Sequence, residues 1–110
     1  MRKAGIIRCQ QTEDLCPDTT DFVSASAGTG AFAETGPVEI VGFVSCGGCP
    51  DKRAVARATM LAKRGAEVVA LASCLKKGLP VGIPCPHIEA MGKAIRAKLP
   101  KEVLFLDWTH

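Results

Sequence analysis

The sequence is poor in aromatic residues, with no tyrosine, one tryptophan and four phenylalanines among 110 residues. Abundant alanine, valine and glycine instead suit helices packed closely on a sheet. No apolar run approaches the roughly 20 residues that a membrane span needs. The basic start Met1-Arg2-Lys3 leads into an apolar run that is broken at Arg8, which is not the pattern of a signal peptide. A dense basic patch is also missing: 14 Lys and Arg interleave with 11 Asp and Glu for a net charge of +3, which serves solubility rather than a nucleic-acid partner. These absences point to a cytoplasmic protein with neither membrane nor nucleic acid as partner. The length suits one domain with a real core, spanning residues 1–110, and is short for two.

Two catalytic signatures are missing as well. Gly28, Gly30 and Gly36 do not follow a strand and open a helix, so they form no dinucleotide-binding fingerprint. A cysteine-dependent phosphatase needs arginine six positions after its nucleophile, but Lys52 stands six after Cys46, and Arg53 comes one place too late.

What the chain does have is six cysteines. A reducing compartment argues against three structural disulfides, which leaves metal binding or redox chemistry to account for them. The stretch Val44-Ser45-Cys46-Gly47-Gly48-Cys49-Pro50 is the centre of that reading. Apolar residues run into it and an amphipathic pattern leaves it, so the two thiols sit on a strand-to-helix turn. Thiols separated by two residues can aim at one atom, either each other or a shared metal. The intervening glycines admit positive φ, and Pro50 suits a first helical position with Cys49 as the N-cap.

Strands are expected over Lys3 to Arg8, Val38 to Val44, Glu67 to Ala72 and Glu102 to Asp107, each a short apolar run rich in β-branched residues or leucine. From Asp51 to Arg64, Ala54, Val55, Ala58, Leu61 and Ala62 share one helical face, and Gly65 supplies the stop. A second helix follows Cys85-Pro86-His87, with Ile88, Met91, Ile95 and Leu99 as its stripe and Pro100 as its end. Asp18 to Ala27 makes a short helix, and Leu75 to Pro84, with its prolines and glycines, reads as a loop. Alternating strands and helices imply a small three-layer α/β domain around a mainly parallel four-stranded sheet.

In a parallel sheet all carboxyl ends lie on one edge, where open α/β sheets bind ligands. Cys9 follows the first strand, Cys46 and Cys49 the second, Cys74 the third and His110 the fourth, while Cys85 and His87 open the last helix on the same side. Residues far apart in sequence therefore converge into a metal-ligating set: Cys46, Cys49, Cys9, Cys74, Cys85, His87 and His110. Zinc fits Cys and His ligands, and a tetrahedral site needs only some of these. Cysteine ligands alone would suit an iron–sulfur cluster. The alternative is a thiol–disulfide oxidoreductase using Cys46 and Cys49. Cys16, in Leu15-Cys16-Pro17, follows no strand and stays outside the expected ligand set.

The motif Cys46-Gly47-Gly48-Cys49-Pro50, together with Ile6-Ile7-Arg8-Cys9, Cys16-Pro17, Ala72-Ser73-Cys74, Cys85-Pro86-His87 and Thr109-His110, resembles the CGGC-domain family of small prokaryotic proteins. The resemblance covers essentially the whole chain. It implies metal binding, with zinc as the suggested ion.

Overall fold

The computed structural model of the chain describes residues 1–48, 53–78 and 84–110. Four strands, β1 (Arg2–Arg8), β2 (Val38–Ser45), β3 (Val68–Leu71) and β4 (Leu104–Leu106), form one sheet in the order β2-β1-β3-β4. Every pairing is parallel. The helices are α1 (Thr19–Ala27), α2 (Arg53–Lys63), the single turn α3 (Ser73–Lys76) and α4 (Ile88–Lys98), with 3₁₀ segments at Gln10–Thr12 and Gly30–Glu34. Leu75 and Lys76 thus close a helical turn where the sequence reads as loop. Among the described residues no helix is long and apolar enough to cross a membrane.

The two inner strands are the most apolar because both of their faces are covered. Val68, Val69, Ala70 and Leu71 are all fully buried, as are Ala4, Ile6 and Ile7. On one face Ala54, Ala58 and Leu61 of α2 and Met91 and Ile95 of α4 pack over Ile7, Val69 and Leu71. On the other, Ala25 of α1 with Ala31 and Phe32 covers Ala4, Val68, Ala70 and Leu106. The domain is therefore a three-layer sandwich.

Helix ends follow local chemistry. After α2, Gly65 adopts φ +106°, and the amides of Gly65 and Ala66 donate to the carbonyls of Ala62 and Leu61 at 3.2 and 3.0 Å. This paired closure needs a residue at positive φ, which glycine reaches without a Cβ penalty. After α4, Leu99 turns extended at ψ 145° because Pro100 excludes helical geometry from the residue before it.

The edge strand β2 carries a bulge. Ala4 pairs with Ile40 and Gly5 with Gly42, so Val41 is an extra residue. Val38 and Gly42 would share a face in an unbroken strand, yet Val38 packs on the α1 side while Gly42 turns toward Leu61 of α2. The bulge also places Phe43 beside Phe22 of α1, with ring centroids 5.2 Å apart.

Candidate functional site

The strand order reverses direction between β1 and β3, because the chain leaves β1 for one edge of the sheet and β3 for the other. In doubly wound sheets such a reversal opens a crevice at the carboxyl ends of the two strands. Cys9 and Cys74 lie there. Ile7 is opposite Leu71, the amide of Ala72 donates to the carbonyl of Ile7 at 2.8 Å, and two residues on the amide of Cys9 donates to the Sγ of Cys74 at 3.2 Å.

Cys46 arrives from β2, where its amide donates to the carbonyl of Arg8 at 2.7 Å. Both Cys46 and Cys74 are buried members of the α2/α4 core cluster, and Cys9 and Cys85 pack against it. The turn after Cys46 reaches the 3₁₀ segment that follows β1: a Cβ placed on Gly48 would stand 3.0 Å from Oε1 of Gln10. Gly47 and Gly48 both take positive φ, 87° and 92°, in keeping with a turn built on glycine. Cys49, with its expected N-cap role and Pro50 at the first helical position, lies outside the described residues.

Cys85 is fastened beside the same edge by its amide, which donates to the carbonyl of Leu75 at 2.9 Å, and its sulfur accepts from the amide of His87 at 3.4 Å. His87 is half-buried just ahead of α4. His110 is drawn to the α1 side, where its Nε2 stands 3.5 Å from Oδ1 of Asp21. Cys16 faces Asp18, with its thiol 3.8 Å from Oδ1. Among the described residues, no three His, Cys, Asp or Glu side chains are gathered closely enough to hold a metal ion.

Beside the thiols lies a buried polar network that the sequence reading did not single out. Arg8 is 6% exposed at the end of β1, and its guanidinium bonds the carbonyls of Cys9 and Cys16 at 3.0 and 2.6 Å, Oγ1 of Thr12 at 2.9 Å and Oδ1 of Asp18 at 3.1 Å. One side chain thus ties the loop from Cys9 to Asp18 onto the strand end. Asp18 itself is 1% exposed in the left-handed region at φ 65°, and its Oδ2 has no hydrogen-bond partner among the described residues.

Burial and the neighbouring charge of Asp21 push the Asp18 carboxyl up from 3.8 to about 7, against the pull of Arg8. Burial likewise pushes the Cys74 thiol up from 9.0 to about 11, with the Asp18 charge adding to the rise and the Cys9 amide opposing it. Cys74 is therefore a neutral thiol at physiological pH unless a cation replaces its proton.

The far side of the network is closed by the chain's last residues. Ser73 and Thr109 exchange amide-to-hydroxyl bonds, both 3.1 Å, and the amide of His110 donates to Oγ of Ser73 at 2.9 Å. The Thr109 hydroxyl also donates to Oδ1 of Asp21, and the His110 carbonyl accepts from Nζ of Lys77 at 2.6 Å. Arg8 and Ser73 each stand directly before a singled-out residue, Cys9 or Cys74. A charged or hydroxyl residue closing a buried apolar strand is the signal that marks them, since such a group needs a partner at the strand end.

Residues 3–110 match the CGGC domain family. The chain belongs to that family. It is also similar to the protein described as "Uncharacterized protein MJ0582" of Methanocaldococcus jannaschii, with 37% identity over 78 residues, which is 66% of this chain and 61% of the relative. The chain thus spans about three fifths of that relative's length. No solved structure matches. In this CGGC domain the first thiol of the naming motif, Cys46, is buried next to the β1 end, while Cys9 and Cys74 meet at the strand-order reversal.

Proposed function

We propose that this CGGC domain holds a thiophilic metal ion, zinc in the simplest case, among the cysteines at the carboxyl edge of its sheet. Cys46 and Cys49 are its first ligands, and Cys9 and Cys74 supply the next by closing on the ion, since no three of the described groups stand together without it. Cys85 and His87 stand at the margin, and His110 joins only by leaving Asp21. The reading is carried by one observation: the Cys9 amide rests on the Cys74 sulfur at 3.2 Å, at the strand-order reversal, with Cys46 in the same buried cluster. Thiolates are soft donors that favour zinc and iron–sulfur clusters over magnesium or calcium. Because Cys74 is protonated without metal, binding must displace that proton, and affinity rises with pH.

Elemental analysis of protein purified anaerobically, with a visible spectrum, tests the proposal. Zinc in a colourless sample supports it, whereas iron with sulfide and a brown colour replaces zinc by a cluster. A metal-free protein whose thiols all titrate overturns it. Cys46→Ser should strip the metal and Cys16→Ser should keep it, since serine stays protonated at neutral pH and removes the thiolate with little change in size. The reverse pattern would move the site to the loop between β1 and α1.

A further inference from the structure

We propose that Cys9 and Cys74 form a reversible disulfide between the segments that follow β1 and β3, giving the thiol edge a redox-active pair separate from the Cys-Gly-Gly-Cys motif. The strands are adjacent and parallel, about 4.8 Å apart as in any sheet. A disulfide asks for Cα atoms about 4.4–6.8 Å apart; the register that sets Ile7 opposite Leu71 runs on to bring Cys9 opposite Ser73, and Cys74 stands one residue beyond, in α3. The Cys74 sulfur lies 3.2 Å from the Cys9 amide nitrogen, one bond from the Cα that carries the Cys9 side chain. Closing the bond therefore calls for side-chain rotation, with the strands held in place by the Ala72 to Ile7 hydrogen bond of 2.8 Å.

The pair is asymmetric in a way that fits stepwise exchange. Cys9 is half-buried and open to a small reagent, whereas Cys74 is only 5% exposed and is reached from Cys9. The Cys9 thiolate attacks one sulfur of a low-molecular-weight disulfide, forming a mixed disulfide and expelling one thiolate. Cys74 then gives up its proton to solvent and attacks the Cys9 sulfur, forming the Cys9–Cys74 bond and expelling the second thiolate. Both leaving thiolates take up protons, so one small disulfide becomes two thiols as two protein thiols become one disulfide. The linkage stands on the Cys9–Cys74 contact alone. Release of a metal held by either sulfur would follow only if the preceding reading also holds.

The test uses the full chain, treated with chelator, incubated with oxidised glutathione, quenched with N-ethylmaleimide in denaturant and cut with trypsin and a glutamate-specific protease. Cleavage leaves Cys9 in residues 9–13, Cys74 in residues 68–76, Cys16 in residues 14–34, and Cys46 with Cys49 in residues 40–52. The expected product is fragment 9–13 joined to fragment 68–76, two hydrogens lighter than the sum, at least tenfold above any other linkage and cleaved by dithiothreitol. Cys46→Ser should retain it and Cys9→Ser should lose it. A map with Cys74 alkylated would overturn the proposal, whether the oxidant ends as a Cys46–Cys49 bond or as glutathione left on Cys9. The wild-type map decides the matter without depending on the folding of any variant.

Discussion

Asp18→Asn should remove a pH dependence that runs opposite to that of most carboxylates. In the native state the Asp18 carboxyl is raised from 3.8 to about 7, chiefly by burial and then by the charge of Asp21. Between those values the unfolded chain releases a proton that the folded chain keeps, so the folded state binds more protons and stability falls as pH rises. The contribution is fully present below pH 3.8 and is gone above about pH 7. A shift of about three units at 1.36 kcal/mol each sets a ceiling of about 4 kcal/mol. Asparagine is close in size, is neutral throughout, and tolerates the φ of 65° that this position requires. The assay is urea denaturation of both proteins from pH 4 to pH 8, comparing unfolding free energies at each pH. Titrating groups remote from Asp18 affect both chains alike, so the difference between wild type and Asp18→Asn reports this carboxyl together with its coupling to Asp21. The unfolding free energy of the wild type minus that of Asp18→Asn should fall as pH rises from 4 to about 7. A difference that is flat, or that grows in the wild type's favour, would mean that Arg8 dominates and that the carboxyl is charged in the folded state throughout.

Three further outcomes follow from the packing. Gly42→Val drives a side chain into Leu61, which Gly5 also faces at 2.8 Å from a would-be Cβ; the expected loss is about 1–3 kcal/mol by chemical denaturation, partly recovered in combination with Leu61→Ala. Thr109→Val keeps the shape but removes the hydroxyl shared by Asp21 and the Ser73 amide, and should cost about 1–3 kcal/mol, with faster hydrogen exchange at Ser73 as the local readout. In a timed alkylation at neutral pH read by peptide mass, Cys74 should remain unmodified after Cys9 and Cys16 have reacted, because burial holds its thiol up at about 11.

The amino-acid sequence by itself determined the four strands, the three longer helices and the parallel α/β class, but not the turn α3 or the 3₁₀ segments. The runs around Ile6, Val41, Val69 and Leu104 are apolar enough to mark strands covered by helices, and the stripes through Leu61 and Ile95 mark the helices that cover them. Those patterns are local, set by periods of two and 3.6 residues, and so remain readable without the fold. Once the sheet is parallel, the gathering of Cys9, Cys46 and Cys74 at one edge also follows, because each stands just past a strand end. Only the tertiary structure decided which of these groups touch. The Val41 bulge shifts half of β2 to the other face by one extra residue; Gly42 within the run is a sequence signal for such a bulge, but only the pairing with β1 fixes where the extra residue falls. The network of Arg8, Asp18, Asp21, Ser73 and Thr109 joins residues as far as 88 positions apart. Its members are ordinary polar residues when taken one at a time. They acquire a common role because burial leaves each of them no water to bond, so that every partner must come from another part of the chain.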